Sequence, residues 1–295
     1  MASSSSSSLT IGVLALQGAF VEHIKLLRHA ATDLLSRPLP ATVDDPVKDP
    51  TETTITTTAE VSAPSHIEFE FIEVRTPSEL AKCSALIIPG GESTSISIIA
   101  ETHGLLEPLR EFVKVQRRPT WGTCAGLILL SESANRTKST GQELIGGLDV
   151  RVLRNYFGRQ VESFEADLDL PFLGVDAERF HSVFIRAPVV EKVLPSSEAV
   201  DQTEDTVIAP ARKATTAPVE ILGRLPGRAV ALRDKTTTAE DLGEDGDIVV
   251  VRQGNVFGTA FHPELTGDAR IHAWWLQEVV KAASAATNVA QEAEP

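Results

Sequence analysis

The sequence predicts an α/β three-layer sandwich with a mostly parallel central sheet. Short, continuous apolar runs recur along the chain, as strands buried on both faces require. Between them lie stretches whose apolar residues return every three or four positions, as in helices packed on a sheet. Glycine-containing turns close several of the apolar runs, at Gln17-Gly18 and at Pro89-Gly90-Gly91.

The elements follow in order. The run IGVLAL at 11–16 ends at Gln17-Gly18 and reads as a buried strand. Phe20, Ile24, Leu27 and Ala31 then share one helical face. IEFEFIEV at 67–74 alternates with period two and suits a second strand, and ALII at 85–88 suits a third. Leu105, Leu106, Leu109, Phe112 and Val113 mark a helix, and PTWGT at 119–123 leads a further strand into Cys124. Near the end, DIVVVRQGNVFGTAF reads as a hairpin, and Ile271, Trp274, Trp275 and Val279 form the apolar face of a closing helix. In folds of this class, functional residues gather at the carboxyl ends of the strands.

Composition narrows the functional classes. A chain of 295 residues, 42% hydrophobic and 23% charged, can bury a sizeable core. No apolar run is long enough to span a bilayer, and the opening MASSSSSSLT has no basic segment, so neither a membrane role nor a secretory leader is expected. The two cysteines, Cys83 and Cys124, lie far apart without CxxC spacing, which excludes a disulfide scaffold and fits the reducing cytoplasm. A net charge of -14 argues against a nucleic-acid partner. No HExxH or similar histidine pair occurs, so no metal site is expected.

Three polar stretches near 36–65, 195–218 and 234–247 show neither periodicity and read as surface loop insertions. Residues 1–9 are expected to be a disordered start and 283–295 a flexible tail, leaving a single domain over 10–282.

The sharpest local signal is Gly122-Thr123-Cys124-Ala125-Gly126, the G-x-nucleophile-x-G form of a strand-to-helix elbow. Glycines two residues on either side relieve crowding where strand meets helix. The helix N-terminus then favours a thiolate at Cys124, and the Ala125 N–H is placed for an oxyanion. Phe261-His262-Pro263-Glu264 follows an apolar strand. Residues two apart face the same way there, so Glu264 is expected on Nδ1 of His262, leaving Nε2 for the thiol proton. In Pro89-Gly90-Gly91-Glu92-Ser93-Thr94, paired glycines let backbone N–H groups approach a ligand, with Ser93 or Thr94 as helix cap. Arg154 and Arg186 each follow an apolar strand. Such an arginine is either a paired structural charge or a carboxylate anchor, and the residues by themselves favour the structural role.

Together these segments resemble the class I glutamine amidotransferases, and among them the glutaminase subunits of pyridoxal 5′-phosphate synthase, the PdxT/SNO family. The stretches that carry the resemblance are IGVLALQGAFVEHI, LIIPGGESTSI, LLEPLREFV, GTCAGLILLS, LDVRVLRNYFGRQVESFEADL, VFIRAP and FHPELTGDARIH, in the family's order and across nearly all of the core. The resemblance implies the class I glutamine amidotransferase-like (flavodoxin-like) form of the sandwich. It implies Cys124 as nucleophile, with His262 and Glu264 completing a triad. Gly91, Glu92, Ser93, Arg154, Ile185 and Arg186 would bind L-glutamine, which reverses the structural reading of the two arginines. Gly91 and Ala125 would supply the oxyanion hole. No cofactor is called for. Ammonia would pass to a separate synthase (lyase) subunit in a large hetero-oligomer making vitamin B6, and docking of that subunit would switch the glutaminase on. Two alternatives stay open: a non-enzymatic regulatory subunit of this fold, or a cysteine hydrolase with a peptide substrate.

Overall fold

A computed structural model describes residues 7–36, 67–136, 142–154, 156, 163–195, 206–211, 215–226 and 246–292. Strand β1 (Ser7–Leu14) leads into helix α1 (Phe20–Ser36), whose buried stripe is His23, Ile24, Leu26, Leu27, Ala30 and Ala31. Strand β2 (Ile67–Val74), helix α2 (Pro77–Leu80) and strand β3 (Ala85–Ile88) follow, all four residues of β3 being buried. Helix α3 (Ser93–Thr102) and helix α4 (Leu106–Arg110) come next, the latter running into a π-helical turn (Glu111–Val115), so the single helix expected there is built in two parts. Strand β4 (Thr120–Thr123) joins helix α5 (Ala125–Leu130) through Cys124. Then come β5 (Ser131–Asn135), β6 (Leu148–Leu153), β7 (Ser163–Leu168), β8 (Phe180–Ile185), β9 (Val189–Val193), β10 (Thr206–Ile208), β11 (Glu220–Leu225), β12 (Asp247–Gln253), β13 (Val256–Thr259) and helix α6 (Arg270–Glu292).

The main sheet has the order β10-β5-β6-β9-β12-β13-β4-β3-β1-β2, with β11 also paired to β12. Its five-strand block β13-β4-β3-β1-β2 is parallel throughout. Beyond it the expected hairpin β12–β13 turns antiparallel, and β7 and β8 form a separate two-stranded sheet. Side chains alternate along a strand, and β4 shows what that does for the layers. Trp121 faces α1 and α6, touching His23, His272 and Trp275. Its neighbour Gly122 faces α5, where a Cβ would meet Gly126 and Leu130. Helices therefore cover both faces, and the predicted three-layer sandwich is the fold.

Three segments depart from the sequence reading. Residues 7–9, expected in the disordered start, belong to β1 and pair with β2, with Ser7 opposite Ile67 and Leu9 buried. Within 195–218, expected as loop, Thr206–Ile208 pairs antiparallel with β5, and Thr206 and Ala209 are buried. A three-residue strand is too short to show a period. The tail expected from 283 is helical as far as Glu292, because AASAATNVAQE is rich in the strongest helix former and has no breaker. The 36–65 stretch, except Ser36, the 234–247 stretch up to residue 245 and residues 1–6 lie outside the described residues.

The parallel block decides where chemistry sits. β1, β3, β4 and β13 end side by side, with Val13 level with Ile87, Ile88 with Gly122, and Thr123 with Thr259. Their carboxyl ends deliver Gln17-Gly18, Gly90-Gly91, Cys124 and His262 to one rim. The β4–α5 joint is tightly packed, since a Cβ on Gly126 would run into the carbonyl oxygen of Ile88. In an open helix Gly→Ala adds about 0.5–1 kcal/mol of stability. Here overpacking, at about 1–3 kcal/mol, outweighs it. Gly126→Ala should therefore lower the urea midpoint, and a midpoint equal to or above wild type would show that the joint has room to spare.

Candidate active site

Cys124 sits between β4 and α5 with φ 46° and ψ -98°, a conformation that non-glycine residues rarely adopt. It is held there by its own N–H, which donates to the Thr259 carbonyl at 2.8 Å. The flanking glycines are required because Cβ atoms at 122 and 126 would collide with α5 and β3. The elbow expected from the sequence is thus present in backbone form, with strain of the order of 1–3 kcal/mol borne by a completely buried α5.

His262 follows β13 and is fixed by its N–H donating to the Val183 carbonyl at 2.8 Å. Its Nδ1 lies 2.8 Å from Glu264 Oε1, as the two-residue spacing predicts, and both side chains are buried. Burial alone would discourage a charged imidazole. The hydrogen bonds to Cys124 and Glu264 outweigh it and raise the His262 pKa to about 10. The Glu264 carboxyl is displaced below its usual value: burial opposes ionisation, but His23 and His262 favour the carboxylate more. His262 therefore stands between Cys124 and Glu264, in contact with both.

The Gly90-Gly91 turn closes over this line. A Cβ on Gly90 would lie 2.7 Å from His262 Nδ1 and 3.4 Å from the Cβ of Cys124, so only glycine admits both side chains. Gln17 braces the turn, its Oε1 accepting the Glu92 N–H at 2.7 Å. The helix cap is Glu92 rather than Ser93 or Thr94: its carboxylate accepts from the N–H groups of Thr94 at 3.3 Å and Ser95 at 2.6 Å. A carboxylate reaches the first-turn amides and answers the helix dipole, which a hydroxyl does less well.

Ser93 and Thr94 instead turn their hydroxyls to Gln142 Oε1, at 3.3 and 3.2 Å, and Arg154 Nη1 donates to the same oxygen. Three donors fix that oxygen's identity. Arg154 is 7% exposed, and among the described residues its Nε and Nη2 have no hydrogen-bond partner, nor has Gln142 Nε2. Burial lowers the Arg154 pKa to about 10, against the attraction of Glu92. A buried, charged fork with two free donors suits a carboxylate. Strand β8 brings the Ile185 carbonyl to 4.0 Å from Cys124 Sγ, and Arg186 leaves the strand at φ 45° with its side chain exposed.

Three polar residues at the site carry no sequence motif. Gln142 lies in GQELIGG, with nothing local to distinguish it. His23 and His272 are fully buried behind Glu264. His23 Nε2 is 3.3 Å from Glu264 Oε2 and from Thr123 Oγ1, and His23 Nδ1 is 2.9 Å from His272 Nε2. Each histidine stands on the apolar face of its helix and inside a stretch that carries the family resemblance, His23 in IGVLALQGAFVEHI and His272 in FHPELTGDARIH. Among the described residues, no group of three or more His, Cys, Asp or Glu could hold a metal ion, and no helix is long and apolar enough to cross a membrane.

The model of the SNO glutamine amidotransferase family matches residues 13–218 and 224–281. The chain is 37% identical over 289 residues to the "Probable pyridoxal 5'-phosphate synthase subunit PDX2" of Arabidopsis thaliana, covering 95% of this chain and 91% of that one. It is 36% identical over 268 residues to the pyridoxal 5′-phosphate synthase subunit PdxT of Herpetosiphon aurantiacus, covering 91% and 99%. A crystal structure of a glutamine amidotransferase superposes with a TM-score of 0.58 at 32% identity, over 91% of this chain and 98% of that one.

The buried histidines make the fold acid-sensitive. Burial holds His23 and His272 at about 3, so the folded chain stays neutral there while the unfolded chain takes up protons below 6.5. Their contribution is complete above pH 6.5 and is lost as pH falls toward 3, at up to about 1.4 kcal/mol per pH unit each. His262, raised instead, changes stability only between 6.5 and about 10, outside that window. Urea midpoints should fall steeply between about pH 6.5 and 4. His272→Phe should show a shallower fall; an unchanged slope would mean that His272 titrates normally.

Proposed function

The chain belongs to the SNO glutamine amidotransferase family, and from that premise we propose that it is the glutaminase component of a pyridoxal 5′-phosphate synthase. It hydrolyses L-glutamine to glutamate and passes the ammonia to a separate synthase subunit in a hetero-oligomer. The observation that carries the chemistry is the contact line Glu264–His262–Cys124 on a strained elbow, beside a buried arginine with two unpartnered nitrogens. The relatives' names as pyridoxal 5′-phosphate synthase subunits carry the partner and the fate of ammonia. Both described cysteines are free, in keeping with a cytoplasmic enzyme.

Each residue has a role in the proposed cycle. Arg154 takes the α-carboxylate of glutamine on Nε and Nη2, and the Gly91-Glu92-Ser93 turn with Ile185 and Arg186 lines the rest of the pocket. With its proton already resting on His262 Nε2, as the raised His262 pKa favours, Cys124 Sγ attacks the side-chain amide carbon. The tetrahedral oxyanion is held by the N–H groups of Gly91 and Ala125, each worth about 10²–10³ in rate. His262 returns its proton to the leaving nitrogen, and ammonia departs. Water, deprotonated by the same imidazole, then splits the glutamyl thioester, releasing glutamate and leaving the proton on His262 beside the freed Cys124 Sγ, as at the start. Glu264 keeps Nδ1 protonated throughout, so that Nε2 is the working nitrogen.

Ammonia release from glutamine, measured with the full-length chain and its synthase subunit, tests this reading. Cys124→Ala should abolish turnover, whereas Glu264→Gln should leave a measurable residue because it loses orientation and not the nucleophile. Arg154→Ala should raise KM about tenfold or more, the worth of a charge-assisted contact to the substrate carboxylate. Sustained turnover by Cys124→Ala would overturn the mechanism.

A further inference from the structure

Behind the triad line lies a pair of histidines that the proposed cycle does not use. His23 comes from α1, His272 from α6 and Thr123 from the end of β4, so three elements meet at the His23 ring, whose Nε2 lies 3.3 Å from the second oxygen of Glu264. His23, His272 and the Glu264 side chain are all fully buried. Trp121 seals the group, with its ring centroid 4.8 Å from His272 and 5.7 Å from His23.

The hydrogen positions follow from the surroundings. Both rings are neutral, because burial disfavours the cation in each. A neutral imidazole carries one N–H and one bare nitrogen. Glu264 Oε2, 3.3 Å from His23 Nε2, can only accept, so a bare Nε2 would set lone pair against carboxylate. Nε2 of His23 therefore carries the proton: it lies within hydrogen-bond reach of Thr123 Oγ1 and 3.3 Å from Glu264 Oε2, which has no hydrogen-bond partner among the described residues. His23 Nδ1 is then bare and must accept from His272 Nε2–H at 2.9 Å. That leaves His272 Nδ1 as the bare nitrogen, and it is the atom of the pair without a partner. The opposite assignment would bury an orphan N–H at that nitrogen, the less tolerated defect. One tautomer pattern satisfies all the contacts.

We propose that His23 and His272 are positioning residues of the active site. His272 fixes the tautomer of His23, and His23 directs its Nε2–H at Glu264, keeping the carboxylate ionised and aimed at His262 Nδ1. The proposal rests on the reading of Glu264 as the partner of a working His262. The titratable groups facing Glu264 are His262 on one oxygen and His23 on the other, and His23 faces only Glu264 and His272 directly. At 3.3 Å the His23 contact is long, and closure of the site around substrate is the step that would tighten it.

The test compares His23→Leu with His23→Gln in the full-length chain with its synthase subunit, reading kcat, KM and the pH profile of glutamine hydrolysis. His23→Leu should lower kcat about 10- to 100-fold, the range spanned by a hydrogen bond to a charged group, with KM within about twofold. Its acid limb should move to higher pH, because Glu264 without that donor takes up a proton more readily. His23→Gln keeps an N–H donor and should recover most of the loss. Wild-type kcat and acid limb in His23→Leu, or equal damage in both variants, would overturn the proposal. Nitrogen NMR of the wild-type imidazoles decides independently of whether the variants fold. Nε2–H tautomers at both histidines support it, and a bare Nε2 or a cation at His23 at neutral pH overturns it. Absence of glutamine turnover in the wild-type complex would strike the proposed function instead, leaving the tautomers to decide this one.

Discussion

Between β4 and α5 there is no volume for a side chain. Gly122 and Gly126 stack the strand directly on the helix, and Gly126 also lies against the carbonyl of Ile88. The chain can make that crossing only by reversing sharply at the residue between, and so Cys124 takes a positive φ that its side chain disfavours. The strain is sustained by the surroundings: every residue of α5 is buried, and the Cys124 N–H is tied to Thr259 on the neighbouring strand. Because β3, β4 and β13 are locked in parallel register, this one close approach sets the positions of the Gly90 turn, the thiol and His262 relative to one another.

The electrostatics of the rim depend on that placement. Five ionisable side chains lie in succession from Cys124 through His262, Glu264 and His23 to His272. Burial penalises charge on all of those shifted, yet the outcomes differ. His262 and Glu264 compensate each other across 2.8 Å, and both stay on the charged side of their usual values. His272 has no charged neighbour, and for His23 the attraction of Glu264 is too weak against complete burial and two other imidazoles, so both remain neutral. The fold thus separates a polar pair at the rim from a neutral hydrogen-bonding pair beneath it, and desolvation decides the boundary between them.

How much of this is legible in the sequence depends on the range of the interactions involved. The elbow is legible because its glycines and nucleophile lie within five residues, and the His262–Glu264 contact because strand geometry puts residues two apart on one side. The parallel strands announce themselves as unbroken apolar runs. His23 and His272 pair across 249 positions, and Gln142 meets Ser93 across 49. In the sequence each is one polar residue with no spacing to read. The helix cap was assigned to the wrong residue for a related reason: Ser93 and Thr94 are good caps locally, but the tertiary structure draws their hydroxyls to Gln142 and leaves the amides to Glu92. Strand β10 escaped because three residues in a polar stretch pair only when β5 is already in place.

The two halves of the site differ in how complete they are. On the side of His262, the unpartnered buried atoms among the described residues are acceptors, Glu264 Oε2 and the bare His272 Nδ1. On the arginine side, Arg154 Nε, Arg154 Nη2 and Gln142 Nε2 are buried donors with no acceptor among the described residues. Unsatisfied donors of this sort are worth about 1–3 kcal/mol each, a burden that a fold sheds unless something else uses them. The Gln142 oxygen is already saturated by Ser93, Thr94 and Arg154, so no rotation of that amide relieves the arginine. Relief requires an anion from outside, and a carboxylate satisfies a planar guanidinium with two parallel bonds. The Gly90–Ser93 turn touches both halves, His262 and Cys124 at one end and Gln142 at the other. In the proposed cycle, an amino acid whose carboxylate meets Arg154 would thereby be held at a fixed distance from the thiol, which would favour a small substrate over a peptide.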